Sequence, residues 1–185
     1  ALAYRNLGLR EFFDLDLWVH QRDFAAAQTV LESRGYRLEV QAPWESCFVR
    51  HDGQMTMEVD LHRGITPPEF PFALDFEHLC ERLRHVELST RIVPSFSPED
   101  VLIILCVQVA KDAWESRNRL LQLCDISAVI DSQAIDWRNL MRQARTMGCR
   151  RMALLGFRLV NELLEASVPM EILQEAAAHR GIETL

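Results

Sequence analysis

Lysine is nearly absent from this chain. Nineteen of its 20 basic residues are arginine and one, Lys111, is lysine, against 27 acids and a net charge of −7. Binding along nucleic acid relies on a surplus of cations to neutralise phosphates, so this balance excludes an extended nucleic-acid face. Long apolar runs are missing too. The longest, Val101 to Ala110, is interrupted by Gln108 and too short to span a bilayer, so it predicts a buried helix and no membrane partner. There is no signal-peptide pattern at Ala1, no internal repeat and no low-complexity tract. Paired cysteines are also lacking. Cys47, Cys80, Cys106, Cys124 and Cys149 are odd in number, scattered, and without metal-ligand or CxxC spacing. They read as reduced thiols of a cytoplasmic protein, not as a disulfide framework.

What remains is an ordinary globular composition. The 185 residues are 49% apolar and 25% charged, enough for one sizeable domain or two small ones. The acidic excess is lopsided: residues 1–100 hold 10 basic and 17 acidic side chains, and residues 101–185 hold 10 of each.

The pattern predicts an α+β chain. Phe12 to Val19 is short, apolar and β-prone, and Arg22 to Arg34 carries Phe24, Ala27, Val30 and Leu31 at helical spacing before Gly35. A strand is expected at 36–40. Two more, 46–50 and 55–61, flank His51-Asp52-Gly53-Gln54, whose Asp-Gly signals a hairpin. A proline-rich link (66–71), a short helix (75–84) and a strand (86–93) follow. Ser97-Pro98-Glu99-Asp100 then supplies a capping serine, a first-turn proline and first-turn acids. Helices are expected from there to about Trp114, over 117–131, 136–147 and 150–165, and after Pro169. The expected division is a small mixed-sheet core with flanking helices over 1–95 and an α-helical bundle over 96–185.

Side chains alternate across a strand, so residues two apart share a face. Phe13, Leu15, Leu17 and Val19 face one way, and Asp14 and Asp16 the other. Met55, Met57, Val59 and Leu61 form a second apolar face, opposite Glu58, Asp60 and His62. If the two strands are neighbours, several carboxylates converge, and unpaired like charges at that distance repel. A divalent cation removes the penalty, and hard oxygen donors favour Mg2+ or Mn2+. Solvated strand faces are the other reading, since 27 acids also produce such pairs by chance. His62 is open to two roles, orienting a carboxylate or capping a strand end. Arg10 is open to phosphate or solvent, and Trp18 and Trp114 to a stacked base or the core. Arg142, Arg145, Arg150 and Arg151 form a local basic cluster, read as helix surface.

These motifs resemble a known family. Gly8-Leu9-Arg10…Asp14-Leu15-Asp16-Leu17 looks like the signature of the DNA polymerase β-like nucleotidyltransferase superfamily. More narrowly, DLDLWV (14–19), VLESRGY (30–36), VDLHRGI (59–65), SPED (97–100), VQVAKDAW (107–114) and LLQLCDISAVI (120–130) follow, in order, a bacterial family of uncharacterised nucleotidyltransferases. The resemblance implies Mg2+-dependent transfer of a nucleoside monophosphate from an NTP, ATP foremost, to a hydroxyl-bearing acceptor: small molecule, peptide, protein or RNA. It implies that Asp14, Asp16 and Asp60 bind the metal and carry catalysis, that Lys111 and Arg10 meet the nucleotide, and that Glu58 and His62 support them. The family's glycine-containing phosphate turn would fall before Ala1, and Gln108 and Asp112 stand where members often have histidine. The alternative is a catalytically weak relative acting as a binding or regulatory protein, such as an antitoxin-type partner.

Overall fold

The computed structural model describes residues 3–4, 7–64, 74–114 and 120–179. The proline-rich link at 66–71, the start of the helix expected at 117, with Arg117 and Arg119, and the side chain of Trp114 lie outside the described residues. The chain divides into two compact units, residues 10–76 and residues 77–185 together with 1–9.

The first unit is a four-stranded mixed sheet with one helix against it. Its elements are β1 (Asp14–Trp18), α1 (Phe24–Ser33), β2 (Arg37–Gln41), β3 (Glu45–Asp52) and β4 (Met55–His62), with strand order β1-β4-β3-β2. Gly53, at φ 62°, turns a two-residue loop that pairs β3 with β4 antiparallel from Asp52↔Met55 to Glu45↔His62. The crossover through α1 and the β2–β3–β4 meander brings β1 alongside β4 in parallel. Phe48 and Leu61, on one face of β3 and β4, pack with Phe24 of α1, and Val19, Ala27, Leu31 and Tyr36 close round them. Arg63 lies over the Phe24 ring, 3.6 Å from its centroid.

The apolar backing of β1 is thinner than the alternation predicts. Leu15 and Leu17 are 52% and 38% exposed, because β1 is the sheet's edge strand and α1 packs under β3 and β4.

The second unit is helical, with one hairpin. It holds α2 (Phe76–Cys80, from Glu77 on), the two-stranded sheet β5 (Arg84–Leu88) and β6 (Arg91–Ser95), then α3 (Pro98–Trp114), α4 (Leu120–Ser132), α5 (Trp137–Thr146), α6 (Arg150–Leu164) and α7 (Met170–Ala178). Two local expectations are corrected here. The helix expected over 75–84 stops at Cys80, and the single strand expected over 86–93 is a hairpin. Ser89 takes a left-handed φ of 57°, folding the run back so that Val86 pairs with Val93.

At the start of α3, Asp100 is fully buried and its backbone N–H donates to Ser97 Oγ at 3.2 Å. The Arg82 guanidinium donates to both Asp100 carboxylate oxygens, at 2.8 and 3.2 Å, and Ser97 Oγ donates to one of them at 2.6 Å. Helices α3 and α6 approach closely at Gly156, where an added Cβ would sit 2.5 Å from Cys106 Sγ. The Tyr4 hydroxyl donates to Asp125 of α4 at 2.8 Å. All five cysteines are free thiols. Among the described residues, no helix is long and apolar enough to cross a membrane.

Candidate active site

The parallel register of β1 on β4 sets Asp14 opposite Glu58, Asp16 opposite Asp60 and Trp18 opposite His62. The antiparallel register of β3 on β4 adds Val49 opposite Glu58, Cys47 opposite Asp60 and Glu45 opposite His62. Directly opposed residues point to the same side of a sheet. Asp16, Asp60, Cys47, Glu58, His62 and Glu45 therefore share the face away from α1, while Val59 and Leu61 are buried on the other.

Contacts among these side chains are short. His62 Nε2 lies 2.7 Å from Asp16 Oδ1, and His62 Nδ1 lies 3.6 Å from Glu45 Oε2. The Cys47 thiol donates to Glu58 Oε1 at 3.2 Å. Ligand-capable atoms of Asp16, Asp60 and His62 all lie within 4.8 Å of one another, as do those of Cys47, Glu58 and Asp60. Asp60 belongs to both groups.

Crowding shows in the proton affinities. Burial raises the Asp60 pKa above the ordinary carboxylate value; the Cys47 thiol works against this, the Asp16 and Glu58 charges add to it, and His62 opposes it. Burial alone would depress His62, but the hydrogen bond to Asp16 and the charges of Asp16, Glu45 and Asp60 prevail and raise it. The Cys47 thiol is pushed well up, first by burial and then by Glu58 and Asp60.

A divalent cation fits this donor set. Carboxylates with one imidazole suit Mg2+ or Mn2+ by chemistry. Asp60 Oδ1, closed to solvent and without a hydrogen-bond partner, is the buried acceptor that such an ion would satisfy.

The model of a family described as uncharacterised nucleotidyltransferase matches residues 1–165. The chain belongs to this family. No curated protein and no solved structure matches it. The protein is accordingly a nucleotidyltransferase, an enzyme class that uses an NTP and generally a divalent metal.

Among the residues singled out from this nucleotidyltransferase's sequence, Asp16, Asp60, His62 and Glu58 are brought together. Asp14 lies one register step away opposite Glu58, and is exposed. Arg10 is half-buried and precedes β1 by four residues. Lys111 is half-buried in the last turn of α3, in the helical unit. Its neighbour Asp112 is buried and accepts from Gln122 Nε2 at 2.8 Å. Trp18 meets Phe76 edge to face with centroids 5.1 Å apart. Arg142 and Arg145 line a cavity of about 480 Å³ with Trp137, Arg138, Glu171 and Glu175, and Arg150 is ion-paired with Glu175.

Two residues of the site face were not found by sequence reasoning, Cys47 and Glu45. The signal was present in the hairpin. With Gly53-Gln54 as a two-residue loop, counting outward sets Cys47 opposite Asp60 and Glu45 opposite His62.

Proposed function

We propose that the sheet face bearing Asp14, Asp16 and Asp60 is the catalytic centre for Mg2+-dependent transfer of a nucleoside monophosphate from an NTP to a hydroxyl-bearing acceptor. The observation that carries this reading is the β1–β4 register, which opposes Asp16 to Asp60. When bound, the divalent cation would neutralise the triphosphate and the charge that develops during in-line displacement.

The protein's own groups prepare for that step. Asp16 and Asp60 would hold the ion, with Asp14 beside them at the open edge of the sheet. His62 fixes the Asp16 carboxylate through Nε2, while Glu45 lies on its far nitrogen. Asp60, which completes the ion position, is the carboxylate assigned to help deprotonate the acceptor hydroxyl. Glu58 holds the Cys47 thiol and adds negative charge beside the ion position. Arg10, just before β1, is assigned to the triphosphate, and so is Lys111. The Lys111 assignment rests on its place in the family's sequence pattern.

Titration calorimetry of ATP and the other NTPs, with and without Mg2+, tests the reading. Binding that requires Mg2+ and is lost in Asp16→Ala is the expected result. Absence of any metal-dependent NTP binding would sink it. Metal-dependent binding with no pyrophosphate release under any acceptor class would instead mark a regulatory relative of the enzymes.

A further inference from the structure

Helix α5 turns a row of like charges toward a cavity. Arg138, Arg142 and Arg145, at i, i+4 and i+7, line the α5 side of the space of about 480 Å³ between α5 and α7. Like charges at that spacing oppose one another, and an anion between them removes the conflict. All three side chains are exposed. Arg142 donates to Asn139 Oδ1 at 2.6 Å, while Arg138 and Arg145 make no hydrogen bond or ion pair among the described residues. The same cavity has an apolar lining of Trp137, Met141 and Ile172. Trp137 is set edge to face against the buried Phe157, with ring centroids 5.2 Å apart. Glu171 and Glu175 stand on the α7 side. Glu175 is ion-paired with Arg150, which leaves Glu171 as the open acceptor. The volume falls within the range of small-molecule sites, about 300–1,000 Å³.

We propose that the α5–α7 cavity binds a nucleoside monophosphate, with its phosphate on the Arg138–Arg142–Arg145 row and its base against Trp137. A phosphate monoester carries a charge of about −1.5 to −2 near neutrality, and guanidinium forks match its oxygens in pairs. Three of them therefore suit it better than a single carboxylate. A flat heterocycle is the body that covers the indole together with Met141 and Ile172. Glu171, across the cavity, accepts from an amino or hydroxyl group such as a nucleoside carries. The glutamates also decide against a longer polyanion, since an RNA strand would bring further phosphates against their charge. The site lies wholly within the helical unit, and it stands apart from the reading of the sheet face.

The test is calorimetric titration of the full chain with AMP, GMP, CMP and UMP in EDTA, which silences metal-dependent binding at the sheet face. At least one of them should bind saturably. Arg138→Gln combined with Arg145→Gln should weaken that binding about tenfold or more, and Asp16→Ala should leave it unchanged. Ribose phosphate and inorganic phosphate, which lack a base, should bind about tenfold or more weakly than the best mononucleotide. Equal binding of inorganic phosphate marks an anion patch only and overturns the proposal. So does absence of binding, binding that the arginine variant keeps in full, or binding that Asp16→Ala removes. Tighter binding of a uridylate oligonucleotide than of UMP overturns it in favour of an RNA surface. Mg2+-dependent NTP binding is measured separately, so either reading can fail alone. If the arginine variant does not fold, phenylglyoxal labelling of the unsubstituted chain decides. Protection of Arg138 and Arg145 by the mononucleotide supports the proposal, and unchanged labelling with it bound overturns it.

Discussion

Asp60 carries its charge between two other carboxylates, and that strain is measurable without any substrate. With its pKa raised above the ordinary 3.8, the folded chain binds this proton more tightly than the unfolded chain does. Its contribution to stability is therefore lost as pH rises from that value through the raised one. His62 has the same sign at higher pH: its contribution is complete below 6.5 and lost as pH rises through its elevated folded value. The cation-free protein should melt at progressively lower temperature as pH is raised above 6.5, and His62→Asn should flatten that slope. Asp60→Asn should raise the melting temperature of the cation-free protein at neutral pH and abolish its increase with Mn2+. A variant that melts lower and keeps the full Mn2+ response would contradict the site. At this scale the sequence was informative about which groups share a face, because alternation needs only local backbone. It was silent on Cys47, whose partner is chosen by the hairpin loop. Reading His51–Gln54 as a four-residue loop leaves Cys47 two places out of register, whereas the chain uses only Gly53-Gln54.

Single elements show why some were legible and others not. The helix start at Ser97-Pro98-Glu99-Asp100 is local chemistry, and the structure uses it as read, with Ser97 accepting from the Asp100 N–H. What the sequence does not reveal is that Asp100 also takes Arg82 from beyond the intervening hairpin. Removing Arg82 leaves the fully buried Asp100 charge without its cation, so Arg82→Ala should cost about 3–5 kcal/mol, read from urea unfolding. Gly156 is a second case. Alanine there drives a methyl into Cys106, and about 1–3 kcal/mol of overpacking is expected, partly relieved when Cys106→Ala is added. The β5–β6 hairpin escaped the sequence because Ser89, not glycine, takes the left-handed turn. Exposure of Leu15 and Leu17 escaped it too, since alternation reveals which residues share a face and not whether a neighbour covers it.

For the whole molecule, the acidic surplus of residues 1–100 has a partial physical explanation. Asp16, Glu45, Glu58 and Asp60 sit on one face of one sheet, in the unit formed by residues 10–76. A cation bound there stabilises the folded chain by mass action, and at a hundredfold excess over Kd that amounts to about 2.7 kcal/mol. Thermal melts against Mn2+ concentration should follow that law in the parent chain and stay flat in Asp16→Ala. The fold class and the family were legible because an ordered set of strand and helix motifs spans the chain. Strand pairing between distant segments was not, since no loop length sets the β1–β4 register. That register has a kinetic consequence. Cys47, Glu58 and Asp60 all lie on one hairpin, and isolated hairpins close in about 1–10 μs. Asp16 joins only when a strand more than forty residues away docks in parallel, a slower closure over a longer chain segment. A site divided in this way should assemble in two stages, the hairpin before the edge strand.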